Sequence, residues 1–171
     1  ERPADYDEWR TEARRLVASG VAPERVGFRL AGATADLFSS PVAAGEPSPR
    51  PTNPAMHVPR EFPKLAKTVL CHSDASRFAL LYRLLWRLRR EPRLLDNAAD
   101  PDVFAARRLA KAVRRDSHKM KAFVRFRRTL TDAGEVFVAW FEPDHHIVER
   151  TAPFFARRFT GMRWSIVTPE R

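Results

Sequence analysis

Hydrophobic and polar residues alternate most regularly between 119 and 129. Lys119, Lys121, Phe123, Arg125 and Arg127 take the odd positions, and Met120, Ala122, Val124 and Phe126 the even ones. A strand sends successive side chains to opposite faces, so the pattern predicts a core-facing side and a side of four cations around an aromatic ring. Asp132 to Gly134 supply a turn and 136–141 a second strand, which together predict a β-hairpin. If Leu130 pairs with Glu135, Trp140 falls opposite Arg125 on the cationic face; a slip of one residue would turn it to the core.

Elsewhere the period is helical. Tyr6, Trp9, Ala13, Leu16 and Val17 predict a helix over 5–19, stopped by Gly20. Residues 21–30 are read as a short strand. A helix is expected over 61–72, with Ser73 or Asp74 capping the next one, at 75–90. That helix carries Phe78, Leu81, Tyr82, Leu85 and Leu88 on one side and Arg83, Arg87 and Arg90 on the other. Asp100 caps a further helix reaching about Arg115, with Pro101 in its first turn. Two short helical stretches, 143–150 and 151–159, and a last strand from Trp164 to Val167 complete the reading. The expected fold class is α+β: a small antiparallel sheet, hairpin plus C-terminal strand, packed with several helices.

Seven prolines crowd 39–63. They divide the chain into an N-terminal helix and short strand (1–38), a proline-rich crossing (39–63) and a core α+β region (64–171), expected to form one domain. No apolar run approaches the ~18–20 residues of a membrane span, and no signal peptide is read, so no membrane partner is expected. The lone Cys71 fits a reducing cytoplasm and a structural role; one cysteine beside His72 does not make a metal site.

Charge sharpens the picture. The net charge is +10, and 77–128 holds 16 Lys and Arg against 5 Asp and Glu, while the remainder holds 15 against 16. The whole excess sits in one block, which points to a polyanion such as nucleic acid. Arg outnumbers Lys 26 to 5, so a merely arginine-rich solvated surface is the competing reading. Arg107, Lys111, Arg114, Lys119, Lys121, Arg125 and Arg127 are the candidate phosphate contacts. Phe123 and Trp140 are candidate stacking rings, unless a helix covers that face and they pack into the core.

A second candidate site lies at the open end of the expected hairpin. Asp116, His118, Glu142 and His145 would gather there with Asp144 and His146, as an acid–base site or a metal site; solvated side chains ordering the strand ends are the plain alternative. The spacing matches no metalloprotease signature, and the chain holds no nucleotide-binding glycine loop and no serine nucleophile motif, so no cofactor is expected.

Several segments carry a family resemblance: Arg77-Phe-Ala-Leu-Leu-Tyr-Arg-Leu-Leu-Trp86, the run from Arg115 to Arg127, that from Phe137 to His146, Ala152-Pro-Phe-Phe155, Arg158-Phe159, and Met162 to Pro169. In that order they resemble an uncharacterised "putative DNA metabolism protein" domain, found upstream of X-type uracil-DNA glycosylase domains in bacteria. The resemblance implies a role in DNA repair, with DNA and the adjoining glycosylase domain as partners. It places Asp116, His118, Lys119, Met120, Arg125, Arg127, Trp140, Glu142 and His145 on motif positions. The residues present offer no water-activating or uracil-reading loop, so glycosylase activity is not expected of them. Three functions are carried forward: a DNA-binding accessory domain, an enzyme acting on nucleic acid, and an interaction module for the glycosylase domain.

Overall fold

In the computed structural model, which describes residues 5–28, 58–132 and 134–169, the chain forms an α+β arrangement. Its elements are α1 (Tyr6–Ala18), α2 (Glu61–Val69), α3 (Arg77–Leu88), α4 (Pro101–Phe123), β1 (Arg127–Thr131), β2 (Gly134–Trp140), α5 (Val148–Arg158) and β3 (Trp164–Val167). Local chemistry sets several ends. Asp5 accepts from the Asp7 N–H at 2.8 Å to start α1, and Gly20, at φ +69°, follows its last turn. Asp100 accepts from the N–H groups of Asp102 and Val103 at 3.0 and 3.1 Å to start α4, with Pro101 at its first position. Among the described residues no helix is long and apolar enough to cross a membrane.

The longest helix, α4, has 23 residues and so runs about 35 Å at 1.5 Å per residue. Its first half, through Val103, Ala106, Leu109 and Ala110, packs with α1, α2 and α3 in one hydrophobic core. Its second half, through Val113 and Met120, packs with Val124, Ala139, Ile147 and Phe155 in a second core, which Phe126, Phe141, Trp164 and Ile166 border. One rigid helix therefore runs through both cores, with its inward positions recurring at i+3, i+4 and i+7.

Several sequence expectations change. The strand expected from Lys119 is helix as far as Phe123; the chain becomes extended only at Val124, with φ −60° and ψ 127°. Val113, Asp116, Ser117 and Met120 continue the helical stripe and are all buried. No Gly or Pro interrupts the run after Pro101, and five alternating residues do not outweigh a helix already propagating. Residues two apart on a helix lie about 200° apart, so Lys121 is turned away from Lys119 and Phe123, which stand four apart. The hairpin itself forms lower down, and of the two registers weighed it takes the one in which Leu130 pairs with Glu135; Arg127 pairs with Val138.

The C-terminal strand joins the sheet parallel to β2, not antiparallel, in the order β1-β2-β3. α5 is the crossover that carries the chain back to start β3 in the same direction as β2. It is one helix where two were expected, with Pro153 inside it. Residues 21–28 hold a single 3-10 turn, Pro23–Arg25, in place of a strand; residues 29 and 30 lie outside the described residues, as does 39–57 of the proline-rich crossing. Ahead of α3, Asp74 accepts from the Ser76 N–H at 2.8 Å, so it caps the turn before the helix.

Candidate nucleic-acid interface

The outward face of α4 follows from its inward one. Phe104, Arg107, Arg108, Lys111, Arg114, Arg115, His118 and Lys121 are all exposed. At 100° per residue they fall within an arc of roughly 140°, and Arg107 to Lys121 spans about 21 Å along the axis. Arg107 also donates to the Leu95 carbonyl at 2.8 Å, and the Lys121 ammonium lies 5.2 Å from the Phe154 ring centroid. Among the described residues none of these six cations has a carboxylate within 4.0 Å. Arg108 and Arg115 were absent from the candidate phosphate contacts, although both lie within the helix expected to reach Arg115, and its period places them on this face.

The arginine stripe of α3 behaves differently. Arg83 meets Asp102 at 2.9 Å, and Arg87 meets Asp100 at 2.7 Å and Asp102 at 3.3 Å. Arg87 holds the Asp100 carboxyl below the usual carboxylate range. These cations tie α3 to the start of α4 and are internally neutralised.

The remaining candidate cations are mixed. Arg125 donates to the carbonyls of Ala122 and Val124 at 2.8 and 3.0 Å, a positive charge on the last turn of α4 that complements its dipole. Arg127 opens β1 and is exposed. Lys119 pairs with Asp144 at 3.5 Å. The rings expected to stack are open: Phe123 is 68% exposed and Trp140 58%. The Trp140 indole N–H donates to Glu142 at 3.1 Å.

The acid and histidine candidates are only partly brought together. Asp116, 3% exposed, turns inward and accepts from the His145 backbone N–H at 3.0 Å. Burial pushes its carboxyl above the usual range. His118 stands on the outer face of α4, about 200° around the helix from Asp116. Glu142 holds Trp140, so the four do not share one pocket. Among the described residues no group of three or more His, Cys, Asp or Glu is placed to hold a metal ion.

His145 has a different neighbour, His72. Their ring centroids lie 4.0 Å apart. Nδ1 of His72 accepts from the Asp74 N–H at 3.0 Å, and Nδ1 of His145 from the Ser73 N–H at 3.4 Å. The neutral His72 ring therefore carries its proton on Nε2, while His145 Nδ1 also lies 3.1 Å from the Ser73 hydroxyl. Cys71, half-buried and with a thiol raised by burial, accompanies the pair through its carbonyl, which accepts from the His146 N–H at 2.8 Å. The two histidines stand 73 positions apart, and no local pattern announces them.

Two expectations follow for this cluster. Asp116→Asn keeps an acceptor for the His145 N–H and removes a buried charge, so stability near pH 7 should hold or rise; Asp116→Ala orphans that N–H and should cost about 1–3 kcal/mol. Urea unfolding of both variants checks this. Burial, and then the His145 ring, lower the His72 pKa below 6.5. The unfolded chain then takes up its proton at a higher pH than the folded one. The contribution is thus fully present above the unfolded value and lost as pH falls through the folded one. His72→Gln should flatten the loss of stability between about pH 7 and pH 5 relative to wild type, read as urea midpoints.

Residues 75–171 match the model of a family described as a domain of unknown function, DUF4130. No curated protein and no solved structure matches the chain.

Proposed function

Taking the chain as what the match over more than half its length makes it, a member of the DUF4130 family, we propose that it binds DNA through the outer face of α4. The carrying observation is the row of six exposed cations, Arg107, Arg108, Lys111, Arg114, Arg115 and Lys121, without a carboxylate within 4.0 Å among the described residues. A rigid helix anchored in two cores holds these charges at fixed spacing. They need not be gathered from mobile loops, so less side-chain and backbone entropy is lost on binding. A helix of ~10–12 Å diameter also suits the width of the DNA major groove, although half of α4 is packed and its exposed side is the part that meets phosphates. The role we assign is that of an accessory or targeting domain of a repair protein of the uracil-DNA glycosylase type. Its support is the order of motifs from Arg77 to Pro169.

The acid–base reading has weaker support, because His118 and Asp116 face opposite sides of α4 and Asp116 is engaged by backbone. The binding reading is tested by titrating labelled duplex DNA at several salt concentrations. Log K should fall linearly with log salt, with a slope of about −0.9 for each phosphate neutralised. Absence of binding even at ~0.01 M salt would sink it.

A further inference from the structure

We propose that the open face of the three-stranded sheet is a stacking platform for the bases of single-stranded nucleic acid, with Trp140 as its principal ring. The proposal rests on the polyanion reading of α4 and names a second subsite beside it.

Directly paired residues share a face of a sheet. Arg127 pairs with Val138 and Val138 with Ser165; Thr129 pairs with Val136; Trp140 pairs with Val167. These residues therefore stand on one side. None of them belongs to either hydrophobic core, whereas Ala139, Phe141, Trp164 and Ile166, on the other side, belong to or border the second. Trp140 is 58% exposed and Val167 42%, and Ser165, Thr129 and Arg127 are exposed too. A large exposed aromatic ring on a sheet face that joins neither core among the described residues, beside the half-buried Val136 and Val138, is a flat apolar surface for which the described core has no use.

The chemistry around it selects the occupant. The strand positions of this face carry one cation, Arg127, and no acid. Arg125 lies in the chain between the end of α4 and β1, and Arg127 opens the pairing of β1 with β2, so both stand next to the cationic helix in sequence. Glu142 fixes the indole edge through the N–H of Trp140, which leaves the ring face as the part able to bind. A partner with negative charge on one side and exposed π faces on the other fits both features. Unpaired bases on a phosphate backbone have that character; duplex bases are stacked on each other and present no open ring face.

The test uses the full chain and four probes: oligo(dT) and oligo(rU) of about 15 nucleotides, a duplex of equal length, and an abasic strand of equal length. Trp140→Ala should weaken binding of the oligo(dT) or oligo(rU) strand by roughly 5- to 100-fold, while Trp140→Phe retains most of the affinity. Duplex affinity, abasic-strand affinity and the salt slope should not change. Trp140 is surface-exposed, and an unaltered far-UV circular dichroism spectrum would show that the variant folds. Equal losses on single strand and duplex, or wild-type binding of the abasic strand as tight as that of oligo(dT), would overturn the platform. So would a dimer that Trp140→Ala dissociates in the absence of strand-selective binding, since that makes the face a protein interface. If both forms of DNA bind and respond to charge reversal on α4, yet Trp140→Ala is silent, the platform fails and the α4 reading stands. If no nucleic acid binds, both fail.

Discussion

Reversing two charges on the outer face of α4, Lys111→Glu with Arg114→Glu, is expected to weaken duplex DNA binding by about 100-fold near 0.1 M salt. Each lost phosphate contact removes about 0.9 from the salt slope, and at 0.1 M that is close to one decade of affinity per contact. The slope of the double variant should therefore be shallower by about 1.8. Both residues are exposed and neither carries an ion pair among the described residues, so the fold should be unaffected. The informative control is Arg83→Gln. Arg83 is also an arginine on a helix, but Asp102 already neutralises it at 2.9 Å. Its loss should leave DNA affinity within about twofold, as expected for a cation engaged within the fold. Equal losses from the two variants would mean that bulk charge, not the α4 face, attracts the DNA.

The largest loss of stability is expected at Arg77. This side chain is 1% exposed, donates from Nε to the Leu70 carbonyl at 3.0 Å and from an Nη to the Asp74 carbonyl at 2.9 Å. Its guanidinium also lies 4.2 Å from the Phe78 ring centroid. It thereby closes the link between α2 and α3, placing a cation on the carbonyl end of α2. Arg77→Met fills much of the space but leaves buried acceptors without a donor, each worth about 1–3 kcal/mol. We expect a loss of roughly 2–5 kcal/mol in urea unfolding. Arg77→Lys should be nearly as harmful, because an ammonium cannot reproduce the planar fork that reaches separate carbonyls. A loss below about 1 kcal/mol for Arg77→Met would show that water replaces the guanidinium there.

Features set by a few neighbouring residues were legible in the sequence. The cap at Asp100, the stop at Gly20, the apolar stripe of α3, a hairpin turning after Thr131 and the strand Trp164–Val167 are all local. The C-terminal half of α4 was misread because its sequence satisfies two periods at once. Met120 and Val124 are alternate-compatible in a strand and also four apart in a helix. Tertiary packing decided between them, since the second core draws in Val113, Asp116, Ser117 and Met120 together.

The cationic face itself survives that correction in altered form. As a strand it would have held Lys119, Lys121, Arg125 and Arg127 around Phe123. As a helix it runs from Arg107 to Lys121 and takes in Arg108 and Arg115, while Lys119 pairs with Asp144. Which arginines remain without acid partners was beyond any pattern. The α3 and α4 stripes look alike in sequence, and only the approach of Asp100 and Asp102 separates them.

By itself the sequence determined where charge is concentrated, which segments are amphipathic and that helices and a small sheet share one chain. Those properties follow from composition and short-range periodicity. The tertiary structure alone decided that β3 runs parallel to β2, that His72 lies against His145, that Asp116 and His118 part company, and that Trp140 is left on an open sheet face. Each depends on contacts between residues distant in the chain, or on which face a neighbouring element covers, and no local pattern encodes either.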